Sequence, residues 1–154
     1  MILSFDIFGI SAAGLLSELQ QLSFAGQMEQ VWTEEEFRLL LQGPGVEALV
    51  VCEKDQPIGF ILSRRAAGEA EILSICVLPQ YRKRGVGQRL LEKFRTSLDP
   101  SDVTELFLEV REHNRAAIAL YERNGFHVVG RRKKYYGAPG REKQDALVMK
   151  KTIG

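Results

Sequence analysis

Residues Arg82, Lys83, Arg84, Gly85, Val86 and Gly87 form the stretch that most narrows what this chain can fold into. Ahead of it, Ile72 to Val77 is a short run rich in β-branched residues with the character of a buried strand, and Pro79 ends it. Behind it, Val86, Leu90, Leu91, Phe94 and Leu98 fall at the spacing of one apolar helix face. A strand, a basic glycine turn and a helix start in that order aim free backbone N–H groups and the positive end of the helix dipole at one spot. Glycine lets backbone approach a phosphate with no Cβ between them. No Gly-Lys-Ser/Thr follows, so the turn is not a P-loop, and the third glycine of the dinucleotide fingerprint is missing. Two readings stay open on these six residues: a pyrophosphate cradle, or an ordinary basic turn.

The remaining pattern predicts a single α+β domain over residues 1–154. An apolar start, interrupted by Asp6 and with no basic residue before it, reads as a first strand and not a signal peptide. Ser11 is placed to cap a helix whose face is Leu15, Leu16, Leu19 and Leu22, followed by a loop over residues 23–31. Thr33 and Glu36 form a capping box that opens a second helix through Phe37, Leu40 and Leu41, closed by Gly43 and Pro44. Strands follow at residues 48–53 and 58–63 around a turn at 54–57, then at 71–77. The helix at 87–98 crosses to a strand at 105–111, in the right-handed sense usual for such units. A helix at 115–123 leads to strands at 126–130 and 146–150.

Downstream blocks give the turn a context. They are Leu108-Glu109-Val110-Arg111, Asn114, Ala119-Leu120-Tyr121, Gly125-Phe126, Arg132 with Tyr135-Tyr136, and Asp145 to Met149. Together with Val77 to Gly87, in this order and at these spacings, the chain resembles the GNAT acyltransferase superfamily, and within it the bacterial RimI-type ribosomal-protein alanine N-acetyltransferases. The likeness is dense from about Glu71 to Met149 and thinner before. It implies a mixed sheet of six or seven strands with about four helices, splayed between the fourth and fifth strands to admit an acyl-pantetheine arm. It also implies acetyl-coenzyme A as cosubstrate and no metal. Ile75, Cys76 and Val77, largely by main chain, with Arg82, Lys83, Arg84, Gly85, Val86, Gly87, Gln88 and Asn114, would hold the cofactor.

Direct attack of an amine on a thioester sets three tasks: remove a proton from the amine, hold the carbonyl oxygen, and return a proton to sulfur. Glu109 alternates with Leu108 and Val110 and so projects from the opposite face of its strand. By itself it could be a surface carboxylate or a partner of Arg111; by resemblance it is the base. Tyr121 lies seven residues after Asn114 on the same helix face, roughly 10 Å along the axis. Packing alone would explain it, while the resemblance makes it the acid. A phenol, with a reference pKa of about 10 against about 8.5 for a thiol, stays protonated at neutral pH and can support the leaving group by hydrogen bonding. Asn114 would cap its helix whatever else it does. Phe24 and Met28 on one side, and Tyr135 and Tyr136 on the other, would wall the incoming peptide by the same resemblance. Val31, where the family often has proline before Trp32, departs from it.

Composition narrows the classes. Lys plus Arg is 21 against 20 for Asp plus Glu, a net charge of +1, so nothing draws the whole chain to nucleic acid or anionic membrane. The run from Arg131 to Tyr136 is the strongest local charge, open to reading as a nucleic-acid patch, a solvated strand end or a groove wall. Cys52 and Cys76 lack metal or redox spacing and read as reduced core thiols of a cytoplasmic protein. Cys76 has no base aligned with it to act as a nucleophile, and His127 reads as solvent-facing or satisfied. The expected activity is transfer of acetyl to a protein's N-terminal amine, with the N-terminal alanine of a small-subunit ribosomal protein as the guess for the partner. A lysine side chain, a small amine, or a coenzyme A-binding module without turnover are the alternatives. An α-amine has a reference pKa of about 7.7–8.0 against about 10.4 for lysine, so at neutral pH far more of it is ready to react.

Overall fold

The computed structural model describes residues 1–24, 31–133 and 145–153, and for Phe24 the backbone alone. Met28, Lys134, Tyr135 and Tyr136 therefore lie outside the described residues, as does the side chain of Phe24. Within them, seven strands form one sheet: β1 Leu3–Phe8, β2 Val46–Glu53, β3 Gln56–Ala66, β4 Glu69–Val77, β5 Glu105–Arg111, β6 His127–Arg132 and β7 Ala146–Thr152. The order across the sheet is β1-β2-β3-β4-β5-β7-β6, with β4 and β5 parallel and every other pair antiparallel. Four α-helices accompany it: α1 Ala13–Phe24, α2 Glu34–Gln42, α3 Val86–Thr96 and α4 Arg115–Arg123.

The chain enters α1 differently from expectation. Ser11 sits inside a 3-10 turn, Ile10–Ala12, that runs straight into α1, and the residue at its N-cap is Gly9, which has no side chain to cap with. Leu16 and Leu19 are buried, but Leu22 is 54% exposed and is not part of the core face. Buried polar groups fill out that face instead. Gln20 Oε1 accepts from Trp32 N at 2.6 Å and Ser17 Oγ donates to Trp32 O at 3.5 Å, which ties the entry of α2 to α1. At α2 the capping box is formed, with Thr33 Oγ1 accepting from Glu36 N at 3.1 Å and Thr33 N donating to Glu36 Oε1 at 3.3 Å. Phe37 then packs edge-on between Trp32 and Phe60 of β3, at centroid distances of 5.4 and 6.1 Å. The β2–β3 turn is tighter than expected. Only Lys54 and Asp55 intervene between the paired Glu53 and Gln56, and both have positive φ, as a two-residue hairpin requires.

The feature that positions the site is a change in the middle of the sheet. Parallel pairing of β4 with β5 runs from Glu69↔Glu105 to Ile72↔Leu108, while β4 continues to pair with β3 as far as Val77↔Gly59. The register of β3 against β4 jumps at the same level: Leu62 faces Ser74 but Ser63 faces Ile72, which leaves Leu73 as a bulge. A bulge bends and twists its strand. Beyond it β4 and β5 diverge, which is the expected splay between strands four and five. Ala70, Ile72, Leu106 and Leu108 are buried on one face, alongside the buried Val86, Leu90, Leu91 and Phe94 of α3. Phe60 and Cys76 lie on the other, under α2 and α1.

Candidate functional site

The site begins where β4 is left without a strand on one side. Leu78 N donates to Ile58 O, so the main chain of Leu78 faces β3. Alternation along an antiparallel ladder then turns Cys76 towards β3 as well, and turns the N–H and C=O groups of Ile75 and Val77 to the gap beside β5. Of the three residues expected here, Ile75 and Val77 turn their main chain to the gap, with the Val77 carbonyl already accepting from Arg82 Nε. Cys76 instead directs its side chain at α1, where Sγ lies 2.8 Å from Ser23 Oγ and 3.6 Å from Leu19 O. Burial pushes its thiol up to about 11, against smaller opposing effects of Ser23 and Arg82. A protonated buried thiol is a packing group and not a nucleophile.

The basic turn follows. Gly85 is the N-cap of α3 with φ of 82°, a left-handed backbone that glycine adopts without strain, and it brings no side-chain cap. The first N–H groups of α3 are thus left to an outside acceptor. A Cβ on Gly85 would have no heavy atom within 4 Å, whereas one on Gly87 would meet Leu120 Cδ2 of α4 at 3.2 Å. Gly87 is therefore small because α3 and α4 pack closely there, a constraint that the turn's sequence does not reveal. The cations are also divided. Arg82 donates to Val77 O at 3.1 Å and to Ser23 O at 2.7 Å, which fastens the end of β4 to the end of α1. Arg84 lies over the Tyr81 ring at 5.3 Å, and Lys83 is exposed. Gln88 is bonded in both directions to Asn124, at 3.0 and 2.7 Å, and so clasps α3 to the end of α4.

On α4, Asn114 caps the helix, its Oδ1 accepting from Ala117 N at 3.2 Å. Tyr121 is 5% exposed, with its ring edge-on to Phe126 at 6.0 Å. The sheet's opposite face holds Glu109. It is 25% exposed and its Oε1 lies 3.0 Å from Arg132 Nε, so a basic partner reaches across from β6, whereas the sequence had offered Arg111. Glu109, Arg132 and Val148 line a groove of about 440 Å³ together with Phe107 and, from β3 and β4, Arg64, Glu69 and Glu71. Arg64 pairs with Glu71 at 3.0 Å.

The described part of the basic run, at the end of β6, does not form one patch. Strand alternation sends Arg132 to Glu109 and its neighbour Arg131 to Glu112 and Asp145. Arg131 in turn holds the Glu112 carboxyl below the ordinary range. Arg64, Glu69 and Glu71 had no role assigned from sequence, and Arg132 was read only within the basic run, with a groove wall as one of three alternatives. The usable signal was the alternation of charge in two neighbouring strands, Glu69-Ala70-Glu71-Ile72 and Glu105-Leu106-Phe107-Leu108-Glu109, which marks one shared polar face. Among the described residues no group of three His, Cys, Asp or Glu side chains could hold a metal ion, and no helix is long and apolar enough to cross a membrane.

Residues 16–126 match the model of the Acetyltransferase (GNAT) family. The chain is 40% identical over 108 residues to the ribosomal protein bS18-alanine N-acetyltransferase of Haemophilus influenzae, covering 70% of this chain and 73% of that one. Its fold superposes on the crystal structure of the ribosomal-protein-S18-alanine N-acetyltransferase from Escherichia coli with a TM-score of 0.87 at 28% identity, over 99% of this chain and 95% of that one. A PaiA N-acetyltransferase from Thermoplasma acidophilum, crystallised with coenzyme A, shares the fold at 18% identity and a TM-score of 0.76, over 99% of this chain and all of that one (100%).

Proposed function

This chain belongs to the GNAT acetyltransferase family, and we propose that it moves acetyl from acetyl-coenzyme A to the N-terminal α-amine of a protein, the alanine terminus of a small-subunit ribosomal protein. The observation that carries this reading is the placement of the Glu109 carboxylate. It lies one residue past the last β4–β5 pair, in a groove on the face away from α3. An acyl arm entering between the strands and a peptide lying in the groove would meet there. The names borne by the bS18-alanine N-acetyltransferases at 36–40% identity favour the same acceptor.

The chain fits the cofactor. The uncapped start of α3 at Gly85, open on its outer side, suits a pyrophosphate. The main-chain groups of Ile75 and Val77 suit the amides of a pantetheine arm. Exposed Lys83 adds charge beside the turn, and Asn114 stands at the start of the helix that carries Tyr121. When bound, acetyl-coenzyme A supplies the activated acyl group and a thiolate leaving group. Glu109 takes a proton from the incoming amine, through water, and the Tyr121 hydroxyl gives its proton to the departing sulfur. Tyr135 and Tyr136, with Phe24 and Met28, are proposed as the walls that hold the peptide. The whole reading is of one catalytic domain working in the cytoplasm, where Cys52 and Cys76 stay as the free thiols observed.

The test offers two peptides beginning Ala-Arg with one internal lysine, one of them with a blocked N-terminus. Mass spectrometry should place acetyl on the α-amine of the first and find almost none on the second. Efficient acetylation of the lysine in the blocked peptide would transfer the reading to side-chain amines. Thioester consumption with neither would leave a binding module.

A further inference from the structure

We propose that Arg132 is a positioning residue of the reaction: it holds the Glu109 carboxylate and offsets its charge, so that the groove accepts the acceptor amine in its neutral, reactive form. The inference rests on Glu109 being the base.

An α-amine arrives largely as an ammonium ion, because its reference pKa of about 7.7–8.0 lies above neutral pH. A carboxylate on its own stabilises that ion and makes it harder to deprotonate, while a nearby cation does the reverse. A groove with an uncompensated base would therefore bind its substrate well in the form that cannot attack. Arg132 removes this conflict. Its Nε lies 3.0 Å from Glu109 Oε1, and the two side chains line the same groove. The register explains how it reaches. Arg132 pairs with Ala146 of β7, and Ala146 pairs in turn with Arg111 of β5, so the guanidinium crosses a strand whose residue at that level is a small alanine.

Other charges share this face, with contacts of their own. On β3 and β4, Arg64 is paired with Glu71, and Glu69 lies two residues further from the base. Lys150 of β7 is paired with Glu105 of β5 at 3.1 Å. Arg111, two residues beyond Glu109 on β5, is 8% exposed and buried near the strand end. The neighbouring ion pairs of Arg131 with Glu112 and Asp145 lie on the other side of β6. Arg132, at 66% side-chain exposure, is an ion-pair partner of the base that a substrate can also approach.

The experiment measures kcat against pH with an Ala-Arg peptide for the wild type, R132Q, R132K and E109Q. The kcat profile reports groups in the enzyme–substrate complex. R132Q should move its acid limb up by about one pH unit, which is about tenfold in rate below the limb. It should converge with the wild type within about twofold above the limb. KM for R132Q below the limb should be unchanged or lower, since the ammonium form is bound better. R132K keeps the charge and should return the limb to its wild-type position. A uniform loss across all pH values, or an unshifted limb, overturns the proposal while the reading of Glu109 stands, provided E109Q is inactive. Wild-type turnover by E109Q overturns both.

Discussion

The two sides of the gap between β4 and β5 are built on different plans. Towards α3, the features suited to a cofactor are mainly backbone: the uncapped helix start at Gly85 and the main-chain groups of Ile75 and Val77. Several side chains near them are committed to holding the frame. Arg82 fastens β4 to α1, Gln88 clasps Asn124, and Cys76 packs against Ser23. Towards the groove the order is reversed. The sheet supplies the floor, and the groove is lined by the side chains of Glu109, Arg132, Glu71 and Arg64. Backbone features tolerate many side chains as long as the local path is kept. A side-chain constellation fails when one member changes. Recognition of an invariant cofactor suits the first plan, and choice of acceptor suits the second.

Substitutions can break this contrast, and the largest effect belongs on the groove side. Glu109→Gln keeps the shape and loses the base, so kcat should fall about 10²- to 10⁴-fold. The stabilisation of the variant by acetyl-coenzyme A should stay at the wild-type level, as a thermal melt with and without the ligand would show. The mirror change is Gly87→Glu. It places a carboxylate beside the helix start, at a position where even a Cβ would lie 3.2 Å from Leu120. A ligand at a hundred times its Kd contributes about 2.7 kcal/mol of stability. The variant should lose that increment, while Gly87→Ala keeps much of it. Equal ligand-induced shifts in the glutamate variant and the wild type would remove the pyrophosphate from this turn.

Smaller effects sharpen the boundary between the two plans. Tyr121→Phe preserves the edge-on contact with Phe126 and removes the hydroxyl. A loss of about 10- to 100-fold in kcat, with little change in melting temperature, would mark the hydroxyl as chemical and not structural. Asn114→Ala removes a cap and should cost about 1 kcal/mol of stability. A ligand-induced shift in that variant equal to the wild type's would confine Asn114 to capping. The smallest change concerns the frame. With its thiol pushed up to about 11 and Sγ sealed under α1, Cys76 should resist alkylation at pH 8 until the protein unfolds. Rapid labelling of the folded protein would contradict its assignment as packing.

The same contrast explains which parts were legible in the sequence. The turn could be read because β4, Gly85 and α3 are contiguous, and local signals such as the glycine, the apolar helix spacing and Pro79 all lie within about 30 residues of one another. The capping box at Thr33 was legible for the same reason. The groove draws on Arg64, Glu71, Glu109, Arg132 and Val148, which meet only after five strands are in register. Sequence could offer Arg111 as the partner of Glu109 because it was near in the chain. The ladder made Arg132 a partner because it was near in space. Residues that hold the frame were misread in a related way. Ser17 and Gln20 fall outside the apolar face read for α1, yet they are buried and bonded to Trp32. Leu22 looked like core but is exposed. The role of Gly87 in helix packing depends on Leu120, which lies far along the chain.

Amide hydrogen exchange on one sample, first with coenzyme A and then with an Ala-Arg peptide added, tests the two-sided arrangement most directly. Coenzyme A alone should slow exchange at Ile75, Val77 and the first turn of α3, at residues 86–88. The peptide should then add protection along the groove strands, at residues 69–71, 107–109 and 146–148, without altering the first set. Peptide protection that falls on the α3 turn, or coenzyme A protection that falls on the groove, would contradict the division of the site between the two faces.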